Sequence, residues 1–119
     1  MNLLVLVASC AKPPYDKLHE MQKSTWDSIP VDGVSTEYYQ CDDLSMMHWN
    51  LKEALDGCAD KQWDFIFRTN SSSYVDKARL LGFAQKLPTK KCYCGKPGDG
   101  FASGSGFFLS RDCVDILRK

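Results

Sequence analysis

The sequence has no surplus of charge of either sign: 15 Lys and Arg balance 15 Asp and Glu. Such a chain has no general attraction for nucleic acid or anionic lipid. It has no internal repeat, no low-complexity stretch and no apolar run near the roughly 20 residues that cross a bilayer. It has only two histidines, His19 and His48, both within helical patterns, and no C-x-x-C or H-x-x-x-H spacing. A zinc centre is therefore disfavoured, and both imidazoles read as packing or surface groups. No G-x-G-x-x-G follows the first apolar run and no G-x-x-x-x-G-K-[ST] occurs anywhere, which disfavours ordinary dinucleotide and P-loop binding. No serine stands in a G-x-S-x-G elbow; Ser103-Gly104-Ser105-Gly106 has a different pattern.

The beginning of the chain also lacks something. Val7–Cys10 (VASC) matches the small-residue pattern before a lipoprotein cysteine, but no Lys or Arg precedes it. The apolar run Leu3–Val7 is shorter than the roughly 7–15 residues of a cleavable signal. The segment is read as a first core strand, and the protein as cytoplasmic. Its six cysteines are then expected to be reduced thiols that behave as small hydrophobes. Cys92 and Cys94 would share one face of a strand. Cys10 and Cys41 each close a predicted strand and could lie near one another, with their pairing left open by the sequence.

What is present is an ordinary globular composition, 44% hydrophobic against 25% charged over 119 residues, which fits one domain spanning 1–119. Asn2–Ser9 is a nearly continuous apolar run, as a strand covered on both faces requires. Pro13-Pro14 precedes a predicted helix over Tyr15–Ile29, whose buried face is expected to be Tyr15, Leu18, Met21, Thr25 and Ile29. Val34–Cys41 is a second strand. Leu44–Ala59 is a second helix with Ser45 as N-cap, Met47, Leu51, Ala54, Leu55 and Cys58 as its stripe, and Gly57 near its end. Trp63–Thr69 is a third strand, and Val75–Leu87 a third helix with Val75, Ala78, Leu81 and Ala84 inward. A short strand over Lys91–Gly95, a loop over Lys96–Gly100, a strand over Gly106–Leu109 and a helix capped by Ser110, with Asp112 in its first turn, complete the chain. This alternation predicts an α/β domain: a mostly parallel sheet with helices on both faces.

In such sheets ligands bind outside the carboxyl ends of the strands. The third strand runs there into Arg68-Thr69-Asn70-Ser71-Ser72-Ser73, a cation followed by short amide and hydroxyl groups. That composition suits a diphosphate or a sugar. Ser73 and Asp76 have the spacing of a capping box for the third helix, which leaves Arg68, Thr69, Asn70 and Ser71 without a structural explanation.

Trp63–Asp76 (WDFIFRTNSSSYVD) and Phe101–Leu117 (FASGSGFFLSRDCVDIL) together resemble nucleotide-sugar glycosyltransferases of the β-1,3-galactosyltransferase and fringe group. Asp64-Phe65 match the opening of that family's aspartate-bearing strand, Arg68-Thr69 its Lys-Thr, and Tyr74-Val75 its Phe-Val. Ser103–Gly106 and Leu109–Asp112 match its S-G-G-G and L-S-R-D segments. Lys23–Trp26 (KSTW) is similar to its R-x-T-W, and Asn50-Leu51 to its N-L. The resemblance covers most of the chain and implies a minimal three-layer Rossmann-like fold of the glycosyltransferase-A type. It implies a UDP-sugar donor and a glycan acceptor as partners; from the balanced charge no nucleic-acid partner is expected, and with no signal or anchor visible, unlike many animal relatives, no membrane is expected. The donor would lie near Ser9, Lys12, Arg68, Asn70, Ser71 and Ser72, and Ser103, Gly104, Ser105 and Gly106 would shape the donor–acceptor pocket.

Two departures qualify what is implied. The family's three metal-binding aspartates are Asn70, Ser71 and Ser72 here. Hard ions such as Mn²⁺ and Mg²⁺ want carboxylates, so no metal cofactor is expected, with Arg68 or Lys12 supplying the positive charge. The family's acidic E-D-V-x-x-G-like segment, source of its catalytic base, follows shortly after L-S-R-D, and this sequence reaches Lys119 at or before that point. Asp42, Asp43 and Asp99 lie near predicted strand ends, but none matches the base and no catalytic residue is assigned. Hexosyl transfer without a metal is the expected activity. The alternatives are a non-catalytic nucleotide- or glycan-binding module, or part of a longer glycosyltransferase.

Overall fold

A computed structural model describes residues 1–42, 44–97 and 102–119, leaving aside the side chains of Leu44, His48, Pro97 and residues 102–105. Its strands are β1 (Leu3–Ser9), β2 (Val34–Gln40), β3 (Phe65–Asn70), β4 (Tyr93–Pro97) and β5 (Ala102–Ser110). Its helices are α1 (Tyr15–Ser24), α2 (Met47–Cys58), α3 (Lys77–Ala84) and α4 (Arg111–Leu117). The strands form one sheet in the order β2-β1-β3-β5-β4. β1 pairs in parallel with β2 and β3, and the β4–β5 hairpin adds an antiparallel flank on β3. The parallel core is the one expected from the alternation of elements; the hairpin makes the sheet mixed.

All 7 residues of β1 are buried. Leu4 and Leu6 face α2 and α4, in a cluster with Leu55, Cys58, Trp63, Ile66, Leu109 and Val114. Leu3, Val5 and Val7 face α1 and α3, with Trp26, Val75, Phe65, Ala84, Cys92 and Phe108. Cys94 packs on the same cluster as Cys92, as the alternation of a strand predicts. The result is three layers with a core on each side of the sheet.

Helix α1 departs from its predicted course. It stops at Ser24, and a 3₁₀ turn (Trp26–Ser28) follows. Thr25 leaves the helical region (φ −109°, ψ −104°), its hydroxyl donating back to the Met21 carbonyl, the competition that makes Thr a poor helix interior residue. The break swings Trp26 inward to 2% exposure, while Tyr15, Met21 and Ile29, assigned inward by periodicity, are exposed. Burying one indole on Val5, Val7 and Val75 outweighs regular continuation of the helix.

Helix α3 begins later than predicted. Its N-cap is Asp76, whose carboxylate accepts the Arg79 N–H at 3.1 Å, so the Ser73 capping box does not form. Val75 is buried ahead of the helix, and Ala78 is exposed. In α2 the N-cap is Met46 rather than Ser45, Met47 is exposed, and Gly57 lies inside the last turn. Leu51, Ala54, Leu55 and Cys58 do form its buried stripe.

Lys77 fastens α3 to the turn after α1. It is 7% exposed, donates to the Asp27 and Ile29 carbonyls at 3.2 and 3.1 Å, and stands 3.2 Å from the Asp27 carboxylate. Tyr38 Oη donates to the same carboxylate at 2.8 Å. Burial pushes the Asp27 carboxyl up, but the contacts with Tyr38 and Lys77 outweigh it and hold it below its ordinary value. A lowered folded-state value means stabilisation that is present above the ordinary carboxylate range and is lost as pH falls through the lowered value. Lys77→Ala is expected to lower urea-unfolding stability by about 3 kcal/mol at neutral pH. The stability gap between wild type and Asp27→Asn should narrow as the medium is acidified below the carboxylate range; a gap independent of pH would contradict this assignment.

Candidate functional site

The parallel strands β1, β2 and β3 all end at the same edge. Register sets Ala8 opposite Tyr39 on one side and opposite Asn70 on the other, so the loops after these strands converge. The β3 loop is built from its own side chains. Asn70 Oδ1 accepts the Ser72 and Ser73 hydroxyls at 2.9 and 3.1 Å, and Thr69 Oγ1 and Ser73 Oγ are 2.8 Å apart. The Ser73 N–H donates to the Asn70 carbonyl at 3.2 Å, closing the turn. The side chain of Gln22, at 4% exposure, reaches the turn from α1. Its amide donates to the carbonyls of Asn70 (3.2 Å) and Ser73 (3.0 Å).

Gln22 had no sequence signal. A glutamine in a helix reads as surface, and only the tertiary approach of α1 to the turn turns it inward. The same holds for Tyr39, whose hydroxyl accepts from Arg68 Nε at 3.1 Å. Arg68 is 7% exposed and also lies 5.9 Å from the Phe107 ring. Alternation places it on the α2 side of the sheet, with Ile66 and Phe107. Burial pushes the Tyr39 phenol up, and the guanidinium beside it acts in the opposite sense.

Of the residues singled out in the sequence, Asn70, Ser71 and Ser72 form one turn, and Ser71 and Ser72 reach solvent. Ser9 lies at the same edge but is committed to the α1 side: its hydroxyl is 3.1 Å from His19 Nδ1. His19 packs edge-on against Tyr38 at 4.4 Å, the packing role its position in a helix suggested. Arg68 and Ser9 are thus on opposite faces of the sheet. Lys12 is exposed in the loop after β1, where its charge acts on Asp42.

Ser103–Gly106 is strand, part of β5, which begins at Ala102 and so ahead of the predicted Gly106. The side chains of Ser103 and Ser105 lie outside the described residues, as do Asp43 and Asp99. Gly106 pairs with Thr69, beside the turn. A Cβ on Gly106 would come within 2.4 Å of Phe67 Cζ. At this position the close approach served by glycine is that of the Phe67 ring, which packs on Phe108 at 4.8 Å. A groove of about 430 Å³ opens between the turn and α3, lined by Thr69, Ser73, Tyr74, Asp76 and Phe83 among others.

The other half of the Phe101–Leu117 segment lies at the far pole. β5 runs antiparallel to β3, so Ser110 pairs with Phe65 at the start of that strand. Arg111 donates to the carbonyls of Trp63 (3.0 Å), Ala59 (3.1 Å) and Lys61 (2.7 Å) and stacks 3.9 Å over the Trp63 ring. Asp112 accepts the Lys91 N–H at 2.8 Å, and Ser110 Oγ accepts the Cys92 N–H at 3.0 Å. The Asp64 carboxylate accepts the Asn2 N–H at 2.8 Å. Leu109–Asp112 and Asp64 are therefore framework, not site.

No protein-family model matches the chain, and no curated protein matches it. Among solved structures it is similar to a glycosyltransferase involved in the glycosylation of the major capsid of PBCV-1, with a TM-score of 0.67 and 15% identity. That match covers 99% of this chain and 64% of the other, so the chain spans about two thirds of its neighbour's length. The likeness establishes a glycosyltransferase-like α/β fold. Among the described residues no helix is long and apolar enough to cross a membrane.

Replacing Gln22 with leucine would remove the side-chain donor that the Asn70 and Ser73 carbonyls share. A loss of about 2 kcal/mol is expected, with faster amide exchange at Ser71–Tyr74 and unchanged exchange in α2. Unchanged protection of the turn would show that Gln22 does not hold it.

Proposed function

We propose that this chain is a nucleotide-sugar-binding domain of the β-1,3-galactosyltransferase and fringe group. A UDP-sugar would lie over the carboxyl ends of β1 and β3. Its diphosphate would rest against Asn70, Ser71 and Ser72, and Lys12 and Arg68 would supply positive charge. The observation that carries this reading is the Asn70–Ser73 turn: a polar loop held in shape by Gln22 at the shared edge of three parallel strands. The glycosyltransferase-like fold supports it, and so does the general placement of ligands in open α/β sheets.

The turn offers a divalent cation only neutral oxygens, and the Asn70 carboxamide oxygen already accepts two hydroxyls. That donor set does not fit a hard ion, so binding is proposed to be metal-independent. The reading extends to a cytoplasmic protein, in which the cysteines would be kept reduced. The activity in this reading is hexosyl transfer to a hydroxyl of a glycan acceptor.

A specific observation favours a second reading, binding without turnover. Transfer needs a base for the acceptor hydroxyl. Asp42, at the end of β2, is already bonded to the Ala11 N–H at 3.1 Å and to the Cys10 thiol. Moreover, the positions most similar to the family in Leu109–Asp112 and at Asp64 build the framework, while the family's ligand-binding positions are the substituted ones.

Titration calorimetry of UDP in EDTA and in Mn²⁺ tests the shared part of both readings. Binding of equal strength in the two media is expected, and a strict requirement for Mn²⁺ would refute metal independence. Release of free sugar from a UDP-sugar by the wild type in EDTA would support transfer. Binding with no release would support the module. In Ser72→Asp, a carboxylate returns to the turn and binding should become stronger with Mn²⁺ than without.

A further inference from the structure

The register between β1 and β2 ends at the Ser9–Gln40 pair, and Cys10 and Cys41 are the residues that directly follow it. The Cys41 N–H donates to the Ser9 carbonyl at 2.7 Å, a bond of that last pair that holds the backbone of Cys41 against the Ser9–Cys10 peptide. Neighbouring strands lie about 4.8 Å apart, so two residues that each directly follow a paired rung leave it close together. That separation falls within the roughly 4.4–6.8 Å between Cα atoms that a disulfide accepts. A second set of contacts holds the same two segments together. The Asp42 carboxylate accepts the Ala11 N–H at 3.1 Å and the Cys10 thiol. Both cysteines are half-buried thiols, whereas Cys58 and Cys92 are buried.

We propose that Cys10 and Cys41 form a redox-modification site that closes reversibly into a disulfide across the carboxyl ends of β1 and β2. The co-reactant is a small disulfide of the glutathione class. One cysteine, as thiolate, attacks a sulfur of that disulfide, forming a mixed disulfide and expelling one glutathione thiolate. The second cysteine, as thiolate, attacks the protein sulfur of the mixed disulfide. The Cys10–Cys41 bond forms and the second glutathione thiolate leaves. The two protein thiols lose two protons and two electrons, and the small disulfide takes them up as two thiols. A bond closed directly between adjacent strands is geometrically constrained and so readily reduced. In a reducing compartment such a pair acts as a sensor, not a permanent staple. The segment it would stiffen, Cys10–Lys12, directly follows Ser9 at the edge shared with the Asn70 turn. The proposal stands whether or not that edge binds a nucleotide sugar.

The test uses the folded full chain equilibrated in glutathione redox buffers, trapped by alkylation at low pH and digested with trypsin. One linked peptide pair containing Cys10 and Cys41 is expected, reversed by dithiothreitol. Cys10→Ser and Cys41→Ser should each lose the link and carry one glutathione on the remaining partner. The wild-type map decides the matter even if a variant fails to fold. Cys10 and Cys41 both alkylated across all buffers, each carrying its own glutathione, or bridged to other cysteines would overturn the proposal.

Discussion

A strand buried along its whole length can exist only between two hydrogen-bonded neighbours and beneath cover on both faces. β1 is such a strand, and the rest of the molecule follows from satisfying it. Its backbone groups require β2 on one side and β3 on the other. Its side chains require one helical layer from α1 and α3 and another from α2 and α4. Parallel pairing then sends every connection back along the molecule, so β1, β2 and β3 end at one edge. The loops there are free of the core and carry the polar groups; the opposite edge carries the joints that hold the frame.

That division between edges gives the sequence resemblance its physical meaning. Asp64, Arg111 and Asp112 bond backbone groups at the amino ends of the parallel strands, and Trp26 fills the core beneath α1. These residues can persist wherever the fold persists, whatever the site does. Asn70, Ser72 and Ser73 stand at the other edge, where their neutral groups bond to one another. Fold and chemistry are thus carried by different residues, and agreement in the first does not transfer the second.

Apolar runs and turn residues made the strand–helix alternation legible, because burial of β1 and β3 is written directly in their composition. The turn after β3 was legible as a polar loop at the strand ends for the same reason, as polar residues directly follow a buried strand. What was not legible depends on partners distant in sequence. Gln22 reads as surface until the turn, 48 positions later, provides its acceptors. Trp26 reads as mid-helix until the space over Val5 and Val7 draws it out of register. Ser73 and Asp76 both suit an N-cap, and the choice fell to Asp76 because Ser73 is drawn to Thr69 and Asn70.

We propose that the turn held by Gln22 receives a nucleotide diphosphate without a metal. Amide chemical-shift mapping of the labelled protein, titrated with UDP in the presence of EDTA, tests it most directly. Saturable shifts concentrated at Ser9–Lys12 and Asn70–Ser73 are the result this account requires. Shifts confined to the Arg111 edge, or none until Mn²⁺ is added, would contradict it.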